Sequence, residues 1–210
     1  VITANTGAKD RPILFSAPMV RALLDGSKTQ TRRVAKLTDA AHVKEPRGHR
    51  RWHPADPDAT KASPYGQPGD KLWVRETWAH GVHALAAKRD EDGPFVYAAT
   101  DSVQHRLGNK WTPGIHMFRY ASRITLKITG VRVERLQDIS EVDALAEGVY
   151  DGTACKCAEP LDFVRSCGNC GGRLIDSIGL YRALWEHLNG PGSWDANPWV
   201  WVIEFHRMTA

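Results

Sequence analysis

The sequence predicts an α+β fold: a small curled sheet or barrel of short strands, with helices at its ends. Three observations predict it. Short amphipathic helical stretches stand near the start, in the middle and near the end of the chain. Strand-like segments rich in β-branched and aromatic residues run between them. The most regular of these changes phase at a glycine, as a sheet does where it bends into a small barrel. The 210 residues suffice for one domain or at most two small ones. With 42% hydrophobic and 25% charged residues, disordered, collagen-like and coiled-coil classes are excluded. No run of about 18 apolar residues exists, and Val1–Asp10 lack the basic-then-apolar pattern of a signal peptide. The expectation is therefore a cytoplasmic protein with no membrane partner.

In chain order, a helix is expected over Ala17–Asp25. Ser16 can cap it, Pro18 fits its first turn, Gly26 can end it, and Val20, Leu23 and Leu24 give one apolar face. Ser27–Val34 reads as a turn entering a strand. Residues 36–66 hold Pro46, Pro54, Pro57 and Pro64 without periodicity and read as a loop insertion. Pro68-Gly69-Asp70 is a turn into a strand over Lys71–Trp78, and Phe95–Ala99 is a further strand. Along Arg123–Leu136, Ile124, Leu126 and Ile128 alternate, the phase slips at Gly130, and Val131 and Val133 resume it. Ser140 with Asp143 caps a short helix that Gly148 closes. A longer helix over about 175–188 has Ile178, Tyr181, Leu184, Trp185 and Leu188 on one face. Trp199–Phe205 is apolar on both faces, which implies a central, covered strand.

The charge is uneven. Residues 1–75 carry +7 and residues 76–210 carry −3, within a total of +4. The densest basic patch is Arg47, His49, Arg50, Arg51 and His53, with Trp52 inside it. Arginines beside an aromatic suit phosphate contact and base stacking, but Pro and Gly neighbours equally suit a solvated loop.

The chain has four cysteines, Cys155, Cys157, Cys167 and Cys170, in two close pairs. Two such pairs can each take one side of a tetrahedral zinc ion, with Gly168, Gly171 and Gly172 easing the second turn. Two disulfides or free thiols are the alternatives, and the lack of a secretion pattern weighs against disulfides. A four-thiolate site is closed, so the zinc would be structural. The segment 151–173 is then a zinc-knuckle insertion.

Lys28, Thr29, Thr31, Arg32 and Arg33 cluster just after the first helix. A surface turn is one explanation: Thr for strand propensity, Lys and Arg for solubility. A site is the other: a lysine with a depressed pKa can serve as base for a threonine hydroxyl. Strand alternation would put Thr29, Thr31 and Arg33 on one face, with Gln30 and Arg32 facing away and Lys28 able to reach the first face from the turn.

Gly26-Ser27-Lys28-Thr29-Gln30-Thr31-Arg32-Arg33 resembles the first motif, G-x-K-T-x-T-x-R, of the ASCH domain, a PUA-like β-barrel family. Pro68–Trp78 resembles the turn and strand that follow in that family. Leu136-Gln137-Asp138-Ile139-Ser140-Glu141, with Ala144, Glu147 and Gly148, resembles its second helical motif. Trp194–Trp201 resembles the closing strand of phage- and prophage-encoded versions. The resemblance spans about residues 12–206, taken as one domain.

That resemblance implies a PUA-like small barrel with flanking helices and, in some bacterial members, an amidohydrolase that deacylates N(4)-acetylcytidine. By motif position it implies Lys28, Thr31 and Glu147 as the catalytic set. Thr29, Arg32, Arg33, His116 and Trp194 are the residues expected to bind substrate, with Trp111 and Trp194 in loops where an aromatic could stack on a base. No organic cofactor is expected. The partner would be an acylated nucleoside or a nucleic acid. Binding of RNA or DNA without turnover, and cleavage of single-stranded RNA, are the other activities the family implies.

Overall fold

The computed structural model describes residues 7–36, 59–81, 94–101, 110–149, 165–166, 173–174 and 177–208. Helix α1 is Ala17–Asp25, with proline in its first turn and Gly26 ending it in the left-handed region at φ 85°. Glycine suits that position because a Cβ disfavours left-handed backbone. Ser16 makes no side-chain cap; its carbonyl alone takes the Val20 N–H at 2.9 Å.

Strands β1 (Asp10–Leu14), β2 (Gln30–Val34), β3 (Lys71–Arg75), β6 (Thr125–Arg135) and β9 (Trp199–Arg207) form a five-stranded sheet in the order β1-β3-β6-β9-β2. β1 is parallel to β3, and β2 is antiparallel to β9. β9 lies between β6 and β2, and Val200 through Ile203 are all buried, which accounts for its apolar residues on both faces. The sheet ends on β1 and β2, and among the described residues no pairing joins them. Among the described residues the architecture is a mixed five-stranded sheet with three helices, in which no closed barrel is detected. Strand β1 was not legible in advance: Pro12 weakens its strand signal, and an edge position is where a sheet tolerates proline.

The strand expected over Lys71–Trp78 breaks at Glu76-Thr77. β4 (Trp78–His80) belongs instead to a two-stranded sheet with β5 (Phe95–Tyr97). The break coincides with a buried carboxylate: Glu76 is 1% exposed and takes two bonds from Arg123, each 2.9 Å. Gly114 packs onto the same point, where a Cβ would lie 3.0 Å from the Glu76 carbonyl carbon.

Helix α2 (Glu141–Ala146) starts at Ser140, whose hydroxyl accepts the Asp143 N–H at 3.1 Å, as the capping pattern anticipates. Helix α3 (Ser177–Asn189) buries Tyr181 and Trp185. Between them, β7 (Arg165–Ser166) and β8 (Arg173–Leu174) pair antiparallel, Arg165 with Leu174 and Ser166 with Arg173. The four cysteines and the Arg47–His53 patch lie outside the described residues. Among the described residues no helix is long and apolar enough to cross a membrane.

The chain divides into two compact units, each discontinuous in sequence. The first comprises residues 1–26, 64–130 and 205–210. Its sheet alternates sharply: Ile13, Leu72, Val74, Leu126 and Ile128 are buried, and their neighbours are not. A second cluster holds Trp78, Met117 and Ala121 with Phe95 and Tyr97 against it. The second unit comprises 27–63 and 131–204. Its core is Leu136, Ile139, Ala144, Tyr181, Trp185, Trp194, Val200 and Val202.

Candidate active site

The second unit holds a buried polar cluster where the start of β2 meets the end of α2. Lys28 pairs with Glu147 through the backbone as an isolated antiparallel bridge. Its Nζ donates to the Glu147 carbonyl at 2.7 Å and to Glu147 Oε2 at 2.9 Å. The two side chains are 0% and 2% exposed. The Thr29 N–H donates to the Ala146 carbonyl at 2.8 Å, which fixes the turn before β2 against the last residue of α2. Gln30 Nε2 donates to the Asp143 carbonyl at 2.9 Å.

Arg32 completes the cluster. Its NH1 reaches Glu147 Oε1 at 3.3 Å, its NH2 reaches Asp143 Oδ2 at 3.2 Å, and its Nε and NH2 both bond Glu134 Oε1. Its guanidinium carbon stands 5.8 Å from the centre of the Tyr181 ring. Arg132 extends the network, bonding Glu134 at 3.0 Å and Asp143 at 3.1 Å, and also Glu204. Each buried charge therefore has a counter-charge within hydrogen-bond reach, which is the condition for tolerating charges away from water.

The local reason for this arrangement is strand alternation. Lys28, Gln30 and Arg32 are two residues apart, and all three bond residues of the segment 143–147. Helix α2 then delivers Glu147 as its last-turn residue, with Gly148 at φ 80° turning the chain away. Glu134 and Arg132 share one face of β6.

Burial pulls the Lys28 ammonium pKa down; Glu147 opposes this and Arg33 and Arg32 add to it, leaving it below the ordinary lysine value. Burial works upward on the Asp143 carboxyl, but Arg132 and Arg32 outweigh it and hold it below the usual range. Tyr181 is pushed well up by burial and by Glu147.

The residues anticipated from sequence are thus distributed unevenly. Lys28 and Glu147 are in contact. Thr31 is 2% exposed and lies opposite Ile203 in register, so alternation puts it on the face of β2 away from Arg32. Lys28 bonds Glu147, and Gln30 and Arg32 bond the same 143–147 segment. Arg32, expected to bind substrate, is instead surrounded by three carboxylates with its side chain 0% exposed. Thr29 is exposed and Arg33 half-buried. Trp194, expected in an exposed loop, is 7% exposed and packs edge-on to Tyr181 at 6.2 Å, because it fills the core of the second unit. Trp111 is half-buried. His116 is exposed, in a short turn Gly114–His116 that belongs to the first unit.

Sequence reading missed Glu134, Arg132 and Tyr181, and saw Asp143 only as a helix-capping residue. Arg132 and Glu134 did carry a signal, since they alternate with Val131 and Val133 after the phase change. Tyr181 was read only as a core residue.

Comparison of the chain with models of protein families, with curated proteins and with solved structures finds no match.

Proposed function

We propose that the chain is an amidohydrolase that removes an acyl group from the exocyclic amine of a cytidine-like nucleoside or nucleotide. The observation that carries this reading is the Lys28–Glu147 pair, buried and in contact at 2.9 Å. It joins the two motifs whose resemblance to the ASCH family suggested the activity. Under this reading the five-stranded sheet is the core of a PUA-like barrel fold.

The pair can serve amide hydrolysis directly. Glu147 takes a proton from water as the water oxygen adds to the amide carbonyl. The Lys28 ammonium stabilises the oxyanion that forms. The C–N bond then breaks, Glu147 returns the proton to the departing exocyclic amine, and the carboxylic acid and free amine leave. Arg32 holds the second oxygen of Glu147. The position of Thr31 on the opposite strand face favours water over its hydroxyl as the nucleophile.

The test is hydrolysis of N(4)-acetylcytidine by the wild type, Lys28→Ala, Glu147→Gln and Thr31→Val. Losses of about 100-fold or more are expected for the first two variants, the scale of losing an oxyanion donor or a general base. Thr31→Val is expected to retain most activity. A loss there equal to that of Lys28→Ala would make Thr31 the nucleophile and Lys28 its base. Full activity in Lys28→Ala would defeat the hydrolase reading.

We also propose that Cys155, Cys157, Cys167 and Cys170 hold a structural zinc ion. The β7–β8 pairing supports this, because it brings together the chain on either side of Cys167 and Cys170. A thiolate zinc there would fasten the insertion and take no part in the reaction.

A further inference from the structure

The charges around Arg32 close into a ring. Arg32 Nε and NH2 both donate to Glu134 Oε1, and Arg132 Nε donates to Glu134 Oε2 at 3.0 Å. Asp143 Oδ2 joins the same two arginines, accepting from Arg32 NH2 at 3.2 Å and from Arg132 NH2 at 3.1 Å. Two arginines and two carboxylates therefore alternate around a circuit whose charges cancel. Each arginine keeps one arm outside it. Arg32 NH1 reaches inward to Glu147 Oε1 at 3.3 Å, and Arg132 NH1 reaches outward to Glu204. Side-chain exposure rises along that path: 0% at Arg32, 18% at Glu134, 25% at Asp143, 35% at Arg132 and 47% at Glu204.

Separate elements supply the members, all within the second unit: Arg32 from β2, Arg132 and Glu134 from β6, Asp143 from α2 and Glu204 from β9. A guanidinium is planar, and its N–H groups have fixed directions. Once Nε and NH2 of Arg32 are committed to Glu134, its plane is set, and NH1 has one direction left, toward Glu147. The Lys28 ammonium holds only Oε2 of the Glu147 carboxylate. With that contact alone the carboxylate is free to rotate; the Arg32 contact on Oε1 stops it. Burial works against the Arg132 charge, yet Glu134, Asp143 and Glu204 outweigh it and hold its pKa above the ordinary arginine value. A lone pair this near the surface would be worth little, whereas a closed network fixes the geometry of every member.

We propose that Glu134 and Arg132 are positioning residues for the hydrolysis: they aim Arg32 at Glu147 and so fix the carboxylate that takes the proton from water. The proposal rests on the reading of Lys28 and Glu147 as the hydrolytic pair. Both residues act through Arg32. Arg132 braces Glu134 from the side away from Arg32, so a partly exposed arginine governs the orientation of a buried base.

The experiment combines steady-state hydrolysis of N(4)-acetylcytidine with NMR of the Arg32 Nε–H, whose signal is assigned by its loss in Arg32→Lys. The full chain is compared as wild type, Glu134→Gln, Arg132→Gln and Arg132→Lys, well below the melting midpoint of each. Both Gln variants should lower kcat by about 10- to 100-fold with KM held within about twofold, since a misplacement of about 1 Å costs up to about 100-fold. Arg132→Lys should not restore kcat, because an ammonium lacks the planar fork that bridges Glu134 and Asp143. The Arg32 Nε–H should exchange slowly with water in the wild type and faster in both Gln variants. Arg182→Gln, which removes a surface pair with Asp195, is the control, with kcat expected within about twofold of wild type. A wild type that leaves the substrate intact would defeat the hydrolase reading and this proposal together. A hydrolysing wild type with kcat or Nε–H exchange unchanged in the Gln variants would overturn the proposal alone. So would a rise in KM at constant kcat, which would make the two residues substrate contacts, or full recovery of kcat in Arg132→Lys, which would leave only their charge.

Discussion

The ion pair of Lys28 and Glu147 sets conflicting demands on each partner. Both side chains are out of water, so each needs the other's charge. Removing Glu147 takes a buried carboxylate from both Lys28 and Arg32, a loss of about 3–5 kcal/mol. Glu147→Ala should therefore lower the urea midpoint strongly. Lys28→Met with Glu147→Leu should lower it by much less than the two single changes together. Equal, additive losses would show that the pair is not coupled. The pKa of Lys28 gives a second prediction. Glu147 raises it against the downward pull of burial, so Glu147→Gln should lower it further. A lysine whose folded pKa is below its unfolded value destabilises the fold while charged, and that burden lifts as pH rises through the folded pKa. The pH at which stability recovers should move downward in Glu147→Gln, read by urea unfolding from neutral to alkaline pH. No movement would separate the titration of Lys28 from Glu147.

Elements place these residues, and their ends matter more than their lengths. α2 has only six residues, too few to hold itself together, so its cap and its packing decide where Glu147 lies. Ser140→Ala should cost about 1 kcal/mol, the usual worth of such a cap. If α2 positions Glu147, the same change should also reduce hydrolysis. Unchanged activity at the lowered stability would show that packing alone fixes Glu147. The break between β3 and β4 gives another test. Burial holds the Glu76 carboxyl above its ordinary pKa even with Arg123 beside it. Arg123→Ala should destabilise the protein by about 3–5 kcal/mol at neutral pH. The loss should shrink as pH falls through the raised folded pKa of Glu76, because the buried carboxyl then takes up a proton and no longer needs the guanidinium. Urea unfolding on either side of that pKa reads this; a loss independent of pH would assign the effect to the lost guanidinium packing on Tyr97, 3.9 Å away.

Much of the element order was legible because local chemistry decides it. Pro18 and Gly26 bracket α1, Ser140 caps α2, and the doubly apolar Trp199–Phe205 marks an inner strand. The break after Arg75 was not legible, because it depends on Arg123, 47 residues away. The candidate site was legible at Lys28 and Glu147 through motif order. Its ionic surroundings were not: Arg32, Glu134 and Asp143 come together from β2, β6 and α2, and no local pattern specifies such a meeting.

At the scale of the whole molecule, the zinc proposal is the most direct to check. The purified chain should carry about one zinc ion by elemental analysis. Cys167→Ser with Cys170→Ser should remove it and expose thiols to titration. The wild-type chain free of zinc, with four reactive thiols, would overturn the proposal. Loss of a structural thiolate zinc removes on the order of 10 kcal/mol of local folding energy, so chelation should make the insertion the first region cut by protease.

The division into units has a practical corollary. The unit boundaries fall at residues 26, 63, 130 and 204, and two of them lie inside the continuous strands β6 and β9. No single cut in the gene yields a self-sufficient half. A fragment ending at residue 130 keeps most of the first unit but lacks 205–210 and carries β2 without its partner β9. Expressed alone it should be recovered poorly.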